Sequence, residues 1–188
     1  MNIVKLGLIS ILTAGALFAG TYNVDATHSN VGFKVKHLMI SNVTGKFDKF
    51  NGSFIFDEKA NKLTSLKGTA QVASINTEDA KRDGHLKSAD FFDAANHPEL
   101  TFDLEKIEGD KAYGKLTIRG ITKSVEFDYD NNGTVTDPWG NKRVGLELSG
   151  KINRKDFGLN WNKALEAGGV LVGETVKINI ELEGVLAK

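Results

Sequence analysis

From Val31 onward, apolar residues recur at every second position. Val31, Phe33, Val35, His37 and Met39 share one face, with Gly32, Lys34, Lys36, Leu38 and Ile40 on the other; a period of two is that of a half-buried strand. Between Phe47 and Asp57 the residues Phe50, Gly52, Phe54 and Phe56 fall on a common face, and from Leu66 to Ile75 the set Leu66, Gly68, Ala70 and Val72 alternates with Lys67, Thr69 and Gln71. The same alternation returns in Leu100-Phe102-Leu104, Gly114-Leu116-Ile118, Val125-Phe127-Tyr129, Val144-Leu146-Leu148-Gly150-Ile152 and Val176-Ile178-Ile180-Leu182. Parallel strands would read as unbroken apolar runs, so these roughly eight strands predict an antiparallel sheet. A sheet of that length closes into a barrel or folds into a sandwich, and the barrel is the expected form. Turns are expected at Asp57–Asn61, at Asp130-Asn131-Asn132-Gly133 and at Asp137–Asn141.

Two stretches leave the pattern. Ser74 to Phe102 brings charged residues, Gly84, the adjacent Phe91 and Phe92, and a His97-Pro98 stop. A connection of this length in a compact domain is functional or disordered, and its aromatics argue for a short helical lid. Thr77 is the expected N-cap, Glu78 and Asp79 suit the positive helix end, and Glu78–Arg82 and Asp83–Lys87 are i,i+4 pairs with the acid first. Gly84 costs such a helix roughly 1 kcal/mol and suggests a bend or a close approach. Ser88 is placed to cap a second turn through Phe92. The other irregular stretch, Arg154 to Gly169, contains Asp156-Phe157-Gly158 and Trp161.

Composition changes this picture at three points. The chain has Gly 20 against Pro 2, and Gly52, Gly68, Gly114 and Gly150 lie on inward strand faces. They either leave space for one small ligand, as an eight-stranded barrel allows, or mark bulges in a filled core. Residues 1–20 have the layout of a secretory leader: Lys5, an apolar run to Phe18, then Ala19-Gly20. Cleavage near residue 19 or 20 leaves about 168 residues, one domain spanning 21–188, in the periplasm, and the apolar run is shorter than the ~20 residues of a membrane span. There is no cysteine, so neither a disulfide nor a lipid anchored through cysteine is available. The net charge is zero and the lysines are scattered singly along strand faces, which argues against a nucleic-acid partner.

Candidate chemistry is sparse. His28, His37, His85 and His97 show no ligand spacing, so no metal is expected. Ser29 follows His28 directly, and neighbours on a strand face opposite ways, so the two do not form a nucleophile and its base. Arg82 and His85 are i,i+3 neighbours beside Asp83 in the lid, where they either bind a polar head group or pin the lid to the barrel rim.

The motifs Asp25-Ala26-Thr27-His28-Ser29, Gly45-Lys46-Phe47, Phe50-Asn51-Gly52, Ala73-Ser74-Ile75-Asn76-Thr77, Arg82-Asp83-Gly84-His85-Leu86, Asp90-Phe91-Phe92-Asp93, Gly114-Lys115-Leu116-Thr117-Ile118 and Arg154-Lys155-Asp156-Phe157-Gly158-Leu159 together resemble the YceI family of periplasmic, lipocalin-like proteins that bind polyisoprenoids and related lipids. The resemblance runs from Thr21 to about Leu186. It implies an all-β fold, an eight-stranded antiparallel barrel with a short helical segment near its mouth and an elongated apolar cavity. It also implies an isoprenoid or other long-chain lipid as the ligand, often a homodimer, and no catalytic set or further cofactor.

The expected apolar wall is Phe33, Val35, Phe54, Phe91, Phe92, Phe102, Leu116, Ile118, Val144, Leu146, Phe157, Trp161 and Ile178. The expected head-group residues are His37, Arg82, His85 and Arg154. The alternatives are an enzyme acting on such a lipid through His37, Asp83 or His85, and a ligand-free stress or interaction protein with a packed barrel.

Overall fold

A computed structural model describes residues 19–166 and 168–188. The expected leader lies almost wholly outside them, although Ala19 and Gly20 open the first strand. The strands are β1 Ala19–Val24, β2 Asn30–His37, β3 Ser41–Phe47, β4 Phe50–Asp57, β5 Lys62–Gln71, β6 Ile75–Asn76, β7 Glu99–Glu108, β8 Lys111–Ile118, β9 Ile121–Thr136, β10 Lys142–Asn153 and β11 Val172–Leu186, with one helix, α1, at Ala80–Lys87. All pairings are antiparallel. The sheet closes because β11 pairs with β2 along its first half and with β1 along its last residues. β1 with β2, β3 with β4, and β5 with β6 are therefore bent ribbons, and eight ribbons make the up-and-down barrel. Among the described residues no helix is long and apolar enough to cross a membrane.

Local chemistry explains the breaks and two departures from the sequence expectation. Between β1 and β2, Asp25 accepts from the Thr27 N–H at 3.0 Å and its hydroxyl at 2.6 Å, which bends the ribbon. β2 stops at His37 rather than Ile40, because Leu38 and Met39 both take left-handed φ values of 51° and 63° in a tight turn closed from the Ile40 N–H to the His37 carbonyl. The expected turn at Asp130–Gly133 is instead a bulge inside the long β9. Register passes from Asn131↔Leu146 to Gly133↔Gly145 with Asn132 extra, and the Asn131 side chain accepts from the Gly133 N–H.

The up-and-down order sends alternate connections to opposite ends. One end has only short turns, 58–61, 109–110 and 137–141. The other carries the Leu38-Met39 turn, the 72–98 segment with α1, the Arg119-Gly120 turn and the 154–171 connection. The short-turn end is packed solid: Tyr22 stacks on Phe54 at 5.4 Å and meets Phe56 edge-on, with Leu63, Val144 and Leu146 buried around them.

This end is tied outside by Arg143, whose Nε donates to Asp137 at 2.8 Å and whose Nη1 donates to Asp25 at 3.0 Å and to Glu183. Asp25, His28 and Glu183 form the one described grouping with metal-ligand reach, and Arg143 already supplies its positive charge. Hydrogen bonds from Thr27, then His28, then Arg143 hold the Asp25 carboxyl well below the usual carboxylate range, and the Asn141 amide with Arg143 does the same for Asp137. A carboxylate whose folded pKa is depressed stabilises the fold above its unfolded pKa, and that contribution is lost as pH falls. The melting temperature is thus expected to hold above about pH 5 and to fall below about pH 4. Arg143→Met should flatten this acid limb in thermal melts across pH; an unchanged acid limb would contradict the assignment.

Candidate functional site

Between the packed end and the long connections the barrel interior holds an apolar slot of ≈ 110 Å³. Its lining includes Phe33, Phe102, Leu116, Ile118 and Ile178 from the expected wall, together with Val24, Val31, Phe47, Phe50, Leu66, Leu100, Phe127, Leu148, Ile180 and Leu182. Many of these, Val31, Phe33, Phe50, Phe102, Leu116, Ile178 and Ile180 among them, are half-buried rather than buried, as befits side chains bordering unfilled space. The additional residues were accessible to the same alternation, since Leu148 shares a face with Leu146 and Ile180 with Ile178. Alternation assigns a face and not a depth, and depth is what separates lining from packing.

Eight of the expected wall residues lie elsewhere, the four on strands for that reason and the four in the irregular stretches because alternation does not reach them. Phe54, Val144 and Leu146 are core of the packed short-turn end, and Val35 lies toward the other end, opposite Val176. Phe92, from the lid segment, packs edge-on at 6.1 Å against Phe47, which lines the slot. Phe157 is buried under the 154–171 connection. Phe91 and Trp161, 5.2 Å apart, hold the His85 ring edge-on to both, at 5.0 and 4.8 Å.

The four inward glycines divide. At Gly68 an added Cβ would meet, among the described residues, only the Asn51 carbonyl, at 3.9 Å, so this residue opens the wall onto the slot. At Gly114 and Gly150 the place of a side chain is taken by the rings of Phe102 and Phe127, 2.6 and 2.5 Å from the Cβ position, and at Gly52 by the Lys67 carbonyl at 2.7 Å. Tyr129 lies two residues along β9 from Phe127 and opposite Leu148; among the described residues its buried hydroxyl has no hydrogen-bond partner, and burial pushes its pKa up to about 12.

The lid helix starts later than its sequence suggests. Glu78 takes a left-handed φ of 63°, and Asp79, not Thr77, is the N-cap, accepting from the Arg82 N–H at 3.0 Å. Thr77 is 4% exposed and is the knot of the segment. Its hydroxyl and N–H donate to Asp83 at 2.5 and 2.9 Å, while Arg82 Nε donates to that hydroxyl at 2.7 Å and Nη2 to the Thr77 carbonyl at 2.8 Å. Gly84 makes no close approach among the described residues, since a Cβ there would meet none of them within 4 Å.

The geometry therefore gives Arg82 and Asp83 the anchoring role. Arg82→Ala is expected to cost about 1–2 kcal/mol from two lost charge-assisted bonds, or a few degrees in melting temperature, with ligand retained. Lost ligand at an unchanged melting temperature would reverse that assignment.

Arg154 also works within the fold. It is 3% exposed, and its guanidinium donates to the carbonyls of Gly173 at 2.9 Å, Val172 at 3.4 Å and Leu159. Burial lowers its pKa from the ordinary arginine value. His85 pairs with Asp90 at 3.0 Å beside a shallow surface cleft lined by Arg119 and Trp161, and His37 sits at the end of β2; neither borders the slot. Sequence reasoning missed Arg119, which staples the lid turn to the 154–171 connection by donating to Ala89 O at 2.9 Å and Gly158 O at 3.1 Å. A lone arginine in a β-turn carries no sequence signal for that role.

Residues 22–184 match the model of the YceI-like domain. A Staphylococcus epidermidis protein named as a UPF0312 protein is 42% identical over 165 residues, covering 86% of this chain and 95% of that protein, and a Staphylococcus aureus UPF0312 protein is 41% identical with the same coverage. The crystal structure of the Campylobacter jejuni YceI protein superposes with a TM-score of 0.69 at 34% identity, covering 87% and 96% of the two chains. Two more distant structures share the fold. Burkholderia cenocepacia BcnA has a TM-score of 0.71 at 24% identity over 85% and 98% of the chains. A polyisoprenoid-binding domain from Saccharophagus degradans has 0.67 at 16% over 88% and 98%.

Proposed function

Because the chain belongs to the YceI-like domain family, we propose that it is a lipid carrier or store that holds an isoprenoid, or another long-chain lipid, in the barrel slot. The observation that carries this reading is the apolar slot with its open wall at Gly68. At ≈ 110 Å³ it is narrower than the ~300 Å³ at which ordinary ligand pockets begin. It suits a slender chain, and the half-buried Phe33, Phe50, Phe102 and Leu116 are the side chains that swing to lengthen it. Apolar contact at ~25 cal/mol per Å² makes about 300 Å² of buried tail worth roughly 8 kcal/mol before the costs of association.

The tail points toward the packed end and the head toward the long connections. The latter end carries the lid segment and irregular chain rather than a sheet ladder, so opening there breaks fewer cooperative contacts. That a Saccharophagus degradans domain of the same fold is named as polyisoprenoid-binding supports a ligand of this class. The reading is of a carrier and not a catalyst: Asp83 is engaged by Thr77 and His85 by Asp90, both away from the slot. Export to the periplasm is part of the proposal and rests on the leader-like first twenty residues.

The test is organic extraction of protein purified from its native compartment, followed by mass spectrometry. A long-chain lipid approaching one per barrel is the expected result. No lipid above the level in a cavity-filled variant would overturn the reading and leave the packed-barrel alternative.

A further inference from the structure

The turn between β2 and β3 runs against two ordinary preferences at once. Leu38 and Met39 occupy consecutive left-handed positions, φ 51° and 63°, and the turn is closed by the Ile40 N–H donating to the His37 carbonyl at 3.2 Å. A turn with two left-handed residues favours Asn-Gly, because a bulky side chain is strained at each position. Here those positions carry large apolar side chains, and the tip is turned to solvent: Met39 is 51% and Ile40 83% exposed. A polar tip would cost the barrel less on both counts, so Met39 and Ile40 bring the isolated fold no stability.

The tip stands at the end of the barrel that carries the long connections. The Leu38 N–H donates to the Leu171 carbonyl at 2.8 Å, and beside it Ala164 and Val170 bridge a narrow hairpin whose Gly169 lies against Met39. Lys36 and Lys163 flank these turns; both are exposed, and among the described residues neither side chain has a hydrogen bond or ion pair. Against them stands one carboxylate on the described part of the two turns, Glu166. An apolar tip bordered by free lysines is the composition of a surface that rests on a bilayer, with apolar side chains at the acyl boundary and ammonium groups among the head groups.

We propose that the Leu38-Met39-Ile40 tip seats this end of the barrel on a lipid bilayer, from which the ligand is taken up and to which it is returned. The inference rests on the reading of the slot as a lipid site. A long-chain lipid does not reach the slot readily through water, since each exposed methylene lowers its free concentration about four-fold and ten of them about a million-fold. Contact with the bilayer removes that step. The tip lies at the end toward which the head group points, so a seated barrel presents its mouth to the membrane.

The experiment compares wild type, Met39→Asn/Ile40→Ser and Trp139→Ser, each expressed with its leader. Trp139 is the control, being 81% exposed in the turn at the opposite end. Flotation with vesicles of equal phosphatidylglycerol and phosphatidylcholine reads docking, and uptake of a labelled C40 polyprenol from such vesicles reads delivery. Wild type is expected to float and to take up polyprenol at a rate that rises with vesicle concentration. The double variant should float at least five-fold less and load at least ten-fold more slowly, yet reach the same final lipid content. Its melting temperature should hold or rise, because asparagine tolerates the left-handed position. Trp139→Ser should match wild type.

If the double variant does not fold, Ile40→Ser alone serves. Wild type that carries lipid but neither floats nor loads faster with more vesicles would overturn the proposal and leave the slot reading standing. Equal flotation by the double variant, loss of flotation in Trp139→Ser instead, or a tip that mediates protein self-association without binding vesicles would also overturn it. Wild type that floats yet takes up no polyprenol would overturn the slot reading and, with it, the uptake role.

Discussion

Gly68→Leu is expected to remove lipid from the barrel while leaving it folded. Gly68 pairs with Gly52 on one side and Phe102 on the other, and among the described residues its inward face meets nothing closer than the Asn51 carbonyl at 3.9 Å. Its φ lies outside the left-handed region, so an L side chain adds no backbone strain. A leucine there projects four carbons into a slot of ≈ 110 Å³, leaving no continuous path for a tail. Removing a strand glycine gains roughly 0.5–1 kcal/mol of chain entropy, so the melting temperature of ligand-free protein should hold or rise by a few degrees. Lipid content by mass spectrometry should drop at least ten-fold. Gly114→Leu is the contrast: its Cβ would fall 2.6 Å from the Phe102 ring and 2.7 Å from the Asp103 carbonyl, so it should destabilise the barrel. Undiminished lipid in a folded Gly68→Leu protein would place the ligand outside the slot.

Arg154→Met should cause the largest loss of stability. The guanidinium is the shared donor for carbonyls in β11 and in the 154–171 connection, at Gly173, Val172 and Leu159. Methionine keeps much of the volume but strands those acceptors in a buried site, at about 1–3 kcal/mol for each that water does not reach. The total is about 3 kcal/mol or more, close to 10 °C in melting temperature for a domain of this size. Lysine should rescue little, because one ammonium does not reproduce the fork of donors that spans three carbonyls. A thermal melt within two or three degrees of wild type would show that the connection is held by its apolar contacts through Phe157 and Leu159.

Several features were legible in the chain alone, each with a physical reason. Period-two alternation is a direct projection of the pleat, so strand positions, the antiparallel sheet and the inward face of each strand follow from local sequence. Misplaced boundaries arose where backbone conformation overrides side-chain pattern. Leu38 and Met39 continue the alternation into a left-handed turn, and Asp130-Asn131-Asn132-Gly133 reads as a turn yet forms a bulge, because the partner strand continues past it. The motif residues of the lid were also visible. Their direction was not: Arg82 and Asp83 turn back on Thr77, and that knot exists only because Glu78 reverses the chain between them.

What the tertiary structure alone decided is depth and register. Alternation says that Leu146 and Leu148 share a face and both are buried, but only closure of the barrel puts Leu148, and not Leu146, on the slot. The four inward glycines look equivalent in the chain, and it takes the rings of Phe102 and Phe127 to fill two of the spaces and leave the one at Gly68 open. Lys34, Lys151 and Lys177 are separated in sequence by more than a hundred residues at their widest and become neighbours through the ladders of β11. Side-chain direction within a strand is set by covalent geometry. Which residues of two strands meet is set by the energy of packing the whole interior, and no short stretch of the chain contains that information.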